Sequence, residues 1–219
     1  MAAFLANVGV NAAHRITSPL FPDGSFELRP IPEPLPWAPP MLRLPEVWGE
    51  RAVHLDPDLA GHPATYGDNC RTAGRAFSLR RALPGDAICF LARLQPDPCA
   101  ARARPAGFYL VGLLNIAEVL ADVCLDPGPG WWDTNAHVRR ARAGAGWNSF
   151  WVFRGGSGTR LLPTAVPFGR EEAQTALSDG LAWPRHRSEL QTIASHTRAV
   201  RRLTGEPELF LRELCQSRS

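Results

Sequence analysis

The stretch GDAICFLARL at 85–94, with GFYLVGLLNIAEVL at 107–120 beyond a polar insert, decides how this chain folds. Gly85-Asp86 signals a turn, and the apolar runs behind it are the most continuous in the sequence. A half-exposed strand alternates apolar with polar side chains, so a run as unbroken as 107–120 needs cover on both faces and belongs inside a sheet. The insert 95–106 is polar and carries prolines. It predicts a long connection between two antiparallel strands, 87–94 and 107–120.

Working outward, residues 3–10 are small or β-branched and predict another buried strand. Residues 149–154 are rich in aromatics and predict a fourth strand. Gly155-Gly156-Ser157-Gly158-Thr159 then reads as a hairpin turn between Arg154 and Arg160, although bare amides in such a turn can also cradle a phosphate. A further strand, 161–168, is interrupted by Pro163 and Pro167. From Gly169 the apolar spacing becomes helical. Helices are predicted over 171–181 and 188–203, with a stop at Gly205-Glu206-Pro207 and a last turn or two over 208–215. The expected fold class is α+β, with a mixed sheet domain over 1–168 and 169–219 as its helical extension.

At 219 residues with 45% hydrophobic content the chain buries a real core and is not globally disordered. The net charge is +3, yet all 24 basic residues are Arg and none is Lys. Lysine chemistry, whether Schiff base or general base, is therefore absent, and what remains is a set of planar guanidinium forks suited to phosphates and base edges. Cysteines 70, 89, 99, 124 and 215 are odd in number and contain no C-x-x-C pair. That argues against a disulfide framework or zinc finger and for a reducing cytoplasm. No window approaches eighteen apolar residues, and Asn7 and Asn11 interrupt the apolar lead, so neither a membrane span nor a secretion signal is expected. No G-x-G-x-x-G opens a helix and no P-loop lysine exists. No cofactor or metal is expected.

Polar chemistry concentrates at 7–33, NVGVNAAHRITSPLFPDGSFELRPIPE. The strand delivers Asn7 and Asn11 to its end, and His14, Thr17, Ser18, Asp23, Ser25, Glu27 and Glu33 follow. Prolines 19, 22, 30, 32 and 34 forbid helix and fix the backbone, so these groups can be held without a ladder. The plainer alternative is that Pro22-Asp23-Gly24 is only a turn and that Glu27 and Glu33 are solvated. Residues 34–45, with Trp37, predict an extended segment laid on the surface.

Asn7-Val8-Gly9-Val10-Asn11, His14, Ser18-Pro19-Leu20-Phe21, Asp23-Gly24-Ser25-Phe26-Glu27 and Pro30-Ile31-Pro32-Glu33 resemble the opening of the nucleotide-modification-associated domain, type three. Tyr66-Gly67-Asp68, Gly85-Asp86, Tyr109-Leu110-Val111-Gly112, Asn135 with His137, and Trp151-Val152-Phe153 follow in the order that family would have. The resemblance implies a link to hypermodified bases in DNA, chiefly in bacteria and their phages. It leaves open whether the domain makes, removes or reads the modification. The Gly-Asp turn into an apolar strand, and a second strand with Val-Gly before Glu118-Val119, also resemble the PUA, ASCH and EVE group. That likeness implies a small β-barrel, with the polar opening loop and the C-terminal helices packed on it, that binds RNA or an extruded modified base at one end.

Two other segments carry candidate chemistry. Thr65-Tyr66-Gly67-Asp68 offers a ring that can stack or fill core, and a carboxylate that either caps a helix over 69–79, with Arg71, Arg75 and Arg80, or acts as a base. Trp131, Trp132, Asp133, Asn135, His137, Arg139, Arg140 and Arg142 form the densest run of nucleic-acid-type residues. Asparagine can pair with an adenine-type edge, arginine orients through phosphates, and each fully used base–aromatic stack contributes roughly 1–3 kcal/mol. With Trp147 and Trp151 these tryptophans could wall a flipped-base pocket, or they are core and the arginines a solvated loop.

Three readings follow. In one, the protein binds DNA carrying a modified base without chemistry, Arg139, Arg140, Arg154 and Arg160 holding phosphate while Asn7, Asn11, Ser18, Tyr66, Asn135, His137 and the tryptophans 131, 132 and 151 hold the base. In another, Asp23, Glu27 or Asp68 acts as general acid or base on the base or a nucleotide, assisted by His14 or His137. In a third, the sheet is a scaffold for a small-molecule or protein partner. The carboxylates and hydroxyls of the opening loop exceed what reading needs, which leans toward chemistry. The nucleic-acid readings require the opening segment and the tryptophan-arginine segment to wall one hollow.

Overall fold

The computed structural model describes residues 1–10, 16–32, 53–96, 104–177 and 181–216. Its centre is the predicted hairpin, β6 (Ala87–Pro96) against β7 (Gly107–Val123), paired antiparallel from Ala87↔Asn115 to Leu94↔Gly107. β1 (Ala3–Val8) lies parallel to β6 on its other side, and the short β2 (Ser18–Leu20) continues that parallel pairing beyond it. β3 (Ile31–Pro32) and β4 (Val53–His54) make a separate two-stranded ribbon. Beyond β7 come β8 (Phe150–Gly155) and the edge strand β5 (Thr65–Asp68), while β9 (Arg160–Pro167) pairs with the first half of β7.

The continuous apolar runs are explained by two-sided burial. Alternate residues of β1 and β6 divide between opposite faces: Phe4, Ile88, Phe90 and Leu94 face one core, and Leu5, Cys89 and Leu91 face the other. The second core is closed by helices α2 (Arg170–Ala176), α3 (Glu189–His196) and α4 (Glu206–Gln216) through Ala173, Ile193 and Leu211. The first is closed by a 3-10 helix, Gly74–Arg81, through Ala76 and Leu79, and by the sheet itself. Each fully buried Phe or Leu contributes about 1.5–3 kcal/mol, so these faces hold the layers together.

The sheet curls. Tyr66 of β5 meets Phe90 of β6 at a ring-centroid distance of 5.1 Å. Those strands are three places apart in the order β6-β7-β8-β5, which in a flat sheet would separate them by roughly 14 Å. Irregular register between Ile116 and Glu118, and again between Leu120 and Val123, supplies the bend in β7. Curling stops short of closure: β10 (Arg201–Leu203) and β5 end the strand path and do not pair with each other. The architecture is α+β with an eight-stranded mixed sheet, and no closed barrel forms among the described residues.

Three local readings change. The helix expected over 188–203 ends at His196, and Arg201–Leu203 becomes β10 because the outer edge of β1 is there to pair with it. Pro207 lies in the first turn of α4 rather than stopping a helix, a position where its missing N–H is harmless. Asp68 caps no long helix; the 3-10 helix begins only at Gly74, after Ala73. Asn11, His14, Glu33, Trp37 and the rest of 34–45 lie outside the described residues.

Candidate functional site

β5 is an edge strand, so the outward amide of Gly67 needs an acceptor. Asp56 provides it, taking the Gly67 N–H on Oδ1 at 3.0 Å. A short helix, α1 (Ala136–Arg140), sits over the same strand. Asn135 fastens it in two ways: Oδ1 accepts the His137 N–H at 3.0 Å as a helix cap, and Nδ2 donates to Thr65 Oγ1 at 3.1 Å. Glycine at 67 lets the imidazole lie against the strand, since a Cβ there would stand 2.6 Å from His137 Cδ2.

His137 Nε2 is then 3.1 Å from Asp56 Oδ2, and Arg140, three residues on along the same helical face, places Nη2 3.1 Å from His137 Nδ1. A guanidinium has only donors, so Nδ1 must accept and the ring proton sits on Nε2, donated to Asp56. Both ring nitrogens are engaged and one tautomer is selected.

A second group faces the other way from β5. Tyr66 donates its hydroxyl to Asp68 Oδ2 at 2.9 Å, the Asn69 amide donates to Oδ1 at 2.8 Å, and Arg75 Nη2 pairs with Oδ2 at 3.1 Å. Burial pushes the Tyr66 phenol well above its ordinary value of 10.0, and the negative charges of Asp68 and Asp56 push it further. The phenol is a neutral donor and the carboxylate is saturated. Burial likewise pushes the neighbouring Cys70 thiol up, which leaves it protonated and inert.

Both groups line one polar cleft of about 400 Å³. The end of β1 forms the facing wall through Asn7, Val8 and Gly9, and His54 and Asn69 complete the polar lining. Asn69 Oδ1 is buried with no hydrogen-bond partner among the described residues. Asn7 is lightly held, its Nδ2 being 3.5 Å from Thr197 Oγ1. The opening strand and the Asn135–Arg140 segment therefore wall a common hollow.

Of the residues singled out in the sequence, Asn7, Tyr66, Asp68, His137 and Arg140 line this cleft, and Asn135 stands behind it. Others sit elsewhere. Asp23 accepts the hydroxyl and amide of Ser25, which hold its carboxyl below the usual range at an exposed turn. Glu27 pairs with Arg29 at 2.8 Å, and buried Ser18 accepts the Arg29 amide. Trp131 and Trp132 are edge-to-face at 5.3 Å and, with Trp147, pack on Val138 and Phe150, while Trp151 belongs to the first core. None of these tryptophans is among the cleft's lining residues. Arg154 pairs with Glu118 and lies over Trp131; Arg160 donates to the Cys215 carbonyl at 2.9 Å; Arg139 continues α1, half-buried. Sequence reasoning misses Asp56 and His54, which lie in an unpatterned segment, and Asn69, which reads there only as the first residue of a helix. The only hint was Asp56-Pro57, a pair that favours an extended, edge-covering backbone.

What the arrangement does chemically is present polar groups of fixed orientation: a carboxylate with spare lone pairs, two amides and two guanidiniums. Among the described residues no three His, Cys, Asp or Glu side chains are placed to hold one metal ion. No helix there is long and apolar enough to cross a membrane. Comparison with curated proteins and with solved structures gave no match to either. Comparison with protein families matches residues 3–209 to nucleotide modification associated domain 3, and over that span the chain belongs to this family.

Proposed function

We propose that the polar cleft between the end of β1 and the β5 edge receives a modified nucleobase in a DNA-modification system, and that it holds the base rather than transforms it. The observation that carries this reading is the state of the side chains. Both nitrogens of His137 are taken, and Asp68 accepts from Tyr66, Asn69 and Arg75, so neither is poised to accept a substrate proton. Among the described residues, spare capacity lies with the amides of Asn7 and Asn69 and the outer lone pairs of Asp56. Those are donors and acceptors of the kind that read a base edge.

The volume suits one nucleoside, being near the lower end of the roughly 300–1,000 Å³ usual for ligand sites. A base in duplex DNA would have to be turned out of the stack to enter it. That Asp23 bonds to Ser25 in a turn and Glu27 to Arg29, both away from the cleft, favours holding over acid–base chemistry by the opening loop. A PUA-type barrel mouth is likewise not needed for this reading, which uses an open sheet edge.

The test is fluorescence anisotropy with matched duplexes, one carrying a single hypermodified base and one plain, at two salt concentrations. Tighter binding of the modified duplex is expected, with the preference lost in Asn7→Ala and Asn69→Ala. Equal affinity for both duplexes across the common base modifications, or a preference untouched by either substitution, would refute it.

A further inference from the structure

A second cleft, of about 390 Å³, adjoins the first, and Asn7, Val8, Gly9 and Arg75 form the wall common to both. Its character is different. Three guanidinium side chains from elements distant in sequence reach it: Arg75 from the 3-10 helix, Arg93 from β6 and Arg198 from the turn after α3. No carboxylate is among its described lining residues. Arg93 and Arg198 make no ion pair or hydrogen bond among the described residues, whereas Arg29, Arg142, Arg154 and Arg212 are each paired with an acid.

Converging like charges around one hollow repel one another and are relieved when an anion enters. Guanidinium groups match the oxygens of a phosphate with forked, charge-assisted hydrogen bonds. Gly9 adds to the site's openness: its φ of +84° turns the chain at the end of β1, and a Cβ there would meet nothing within 4 Å. Phe108 and Leu190 give the cavity an apolar floor.

We infer that Arg75, Arg93 and Arg198 form a phosphate subsite, so that the ligand of the paired clefts is a nucleotide lying across the Asn7–Gly9 wall with its base on one side and its phosphate on the other. This rests on the base-holding role proposed above and adds the substrate class to it. Arg75 links the two halves, because it lines both clefts and its guanidinium is paired with Asp68 on the base side. The phosphate can come from a free nucleotide or from a strand.

The experiment titrates the protein with inorganic pyrophosphate, with the four 2′-deoxynucleosides and a hypermodified 2′-deoxynucleoside, with the 5′-monophosphates of all five and with a single-stranded pentanucleotide carrying the modified base. Each is followed by calorimetry and by the arginine Nε–Hε NMR signals, in wild type and in Arg93→Met/Arg198→Met. Wild type is expected to bind pyrophosphate with shifts at Arg93 and Arg198, and monophosphates more tightly than nucleosides. The double variant, whose fold is checked by circular dichroism, is expected to lose about tenfold to a hundredfold of phosphate affinity, the factor for one or more charge-assisted contacts. A tighter, salt-dependent pentanucleotide identifies a strand as the phosphate's source, and a monophosphate that binds as well identifies a free nucleotide. Pyrophosphate binding at the arginines with no added gain from any nucleoside keeps the subsite and overturns the base-holding role instead. If pyrophosphate does not bind, or binds the folded double variant as well as wild type, the subsite itself is refuted.

Discussion

Replacing Asp56 by asparagine isolates the logic of the candidate site. The carboxylate accepts from the Gly67 amide and from His137 Nε2 and is nearly buried, its side chain 8% exposed. Asparagine keeps the first bond through Oδ1, but its NH₂ then faces the ring's own N–H. The ring cannot move its proton to Nδ1 to relieve this, because Arg140 already donates there. One donor must therefore be left facing another in every arrangement. Losing a hydrogen bond to a charged group destabilises by about 1.5–3 kcal/mol. In a chain of 219 residues that lowers Tm by about 3–12 °C.

The same logic predicts a rescue. In Asp56→Asn/Arg140→Met the ring is free to carry its proton on Nδ1, turned toward the open cleft, and to accept the asparagine NH₂ at Nε2. The double variant should be more stable than the sum of the two single losses by about 0.5 kcal/mol or more, beyond the scatter of independent sites. Urea denaturation of all four proteins measures this, and ¹⁵N shifts of His137 report the tautomer. Additive losses, or an unchanged tautomer in the double variant, would refute the assigned proton position.

Gly67→Ala places a methyl where the imidazole lies, 2.6 Å from Cδ2, and should destabilise by about 1–3 kcal/mol through overpacking, read by denaturant midpoint. It should also weaken any ligand of the cleft, since the ring must move away from Asp56. Tyr66 gives a pH dependence whose sign follows from its raised phenol: well below pH 10.0 this phenol is neutral in both folded and unfolded forms and its contribution to stability is complete. As pH rises past that value the unfolded phenol ionises while the folded one does not, and stability falls by up to about 1.4 kcal/mol per pH unit for one proton. Tyr66→Phe should be less stable at pH 8, having lost the bond to Asp68, yet show a shallower decline between pH 10 and 11 in urea titrations. A decline equal to that of wild type would show that another group is responsible.

Strands β6 and β7 were legible within the chain because a side chain run buried on both faces needs no distant information to be recognised. Of the polar opening segment, Asn7 reaches the cleft, whereas Asp23 and Glu27 bond to their own neighbours Ser25 and Arg29. β10 was not legible: Arg201-Arg202-Leu203 has no strand period, and it is extended because the edge of β1 lies beside it. The tryptophans illustrate a related ambiguity. Spacing along the sequence does not separate a ring that stacks on a ligand from one that packs on Val138 or Phe150.

The element types at the centre, the sign and kind of the basic residues, and the family resemblance that the match over 3–209 supports are all local properties of the chain. Which polar residues meet is a property of the fold. Asn7, Asp56, Tyr66 and His137 come from four separate segments, and they share a cleft because β1 pairs with β6 and β5 with β8 in one register. Shifting either pairing by a single residue would turn the same side chains to the opposite face. Register is set by packing across the whole sheet, and no local stretch of sequence contains it.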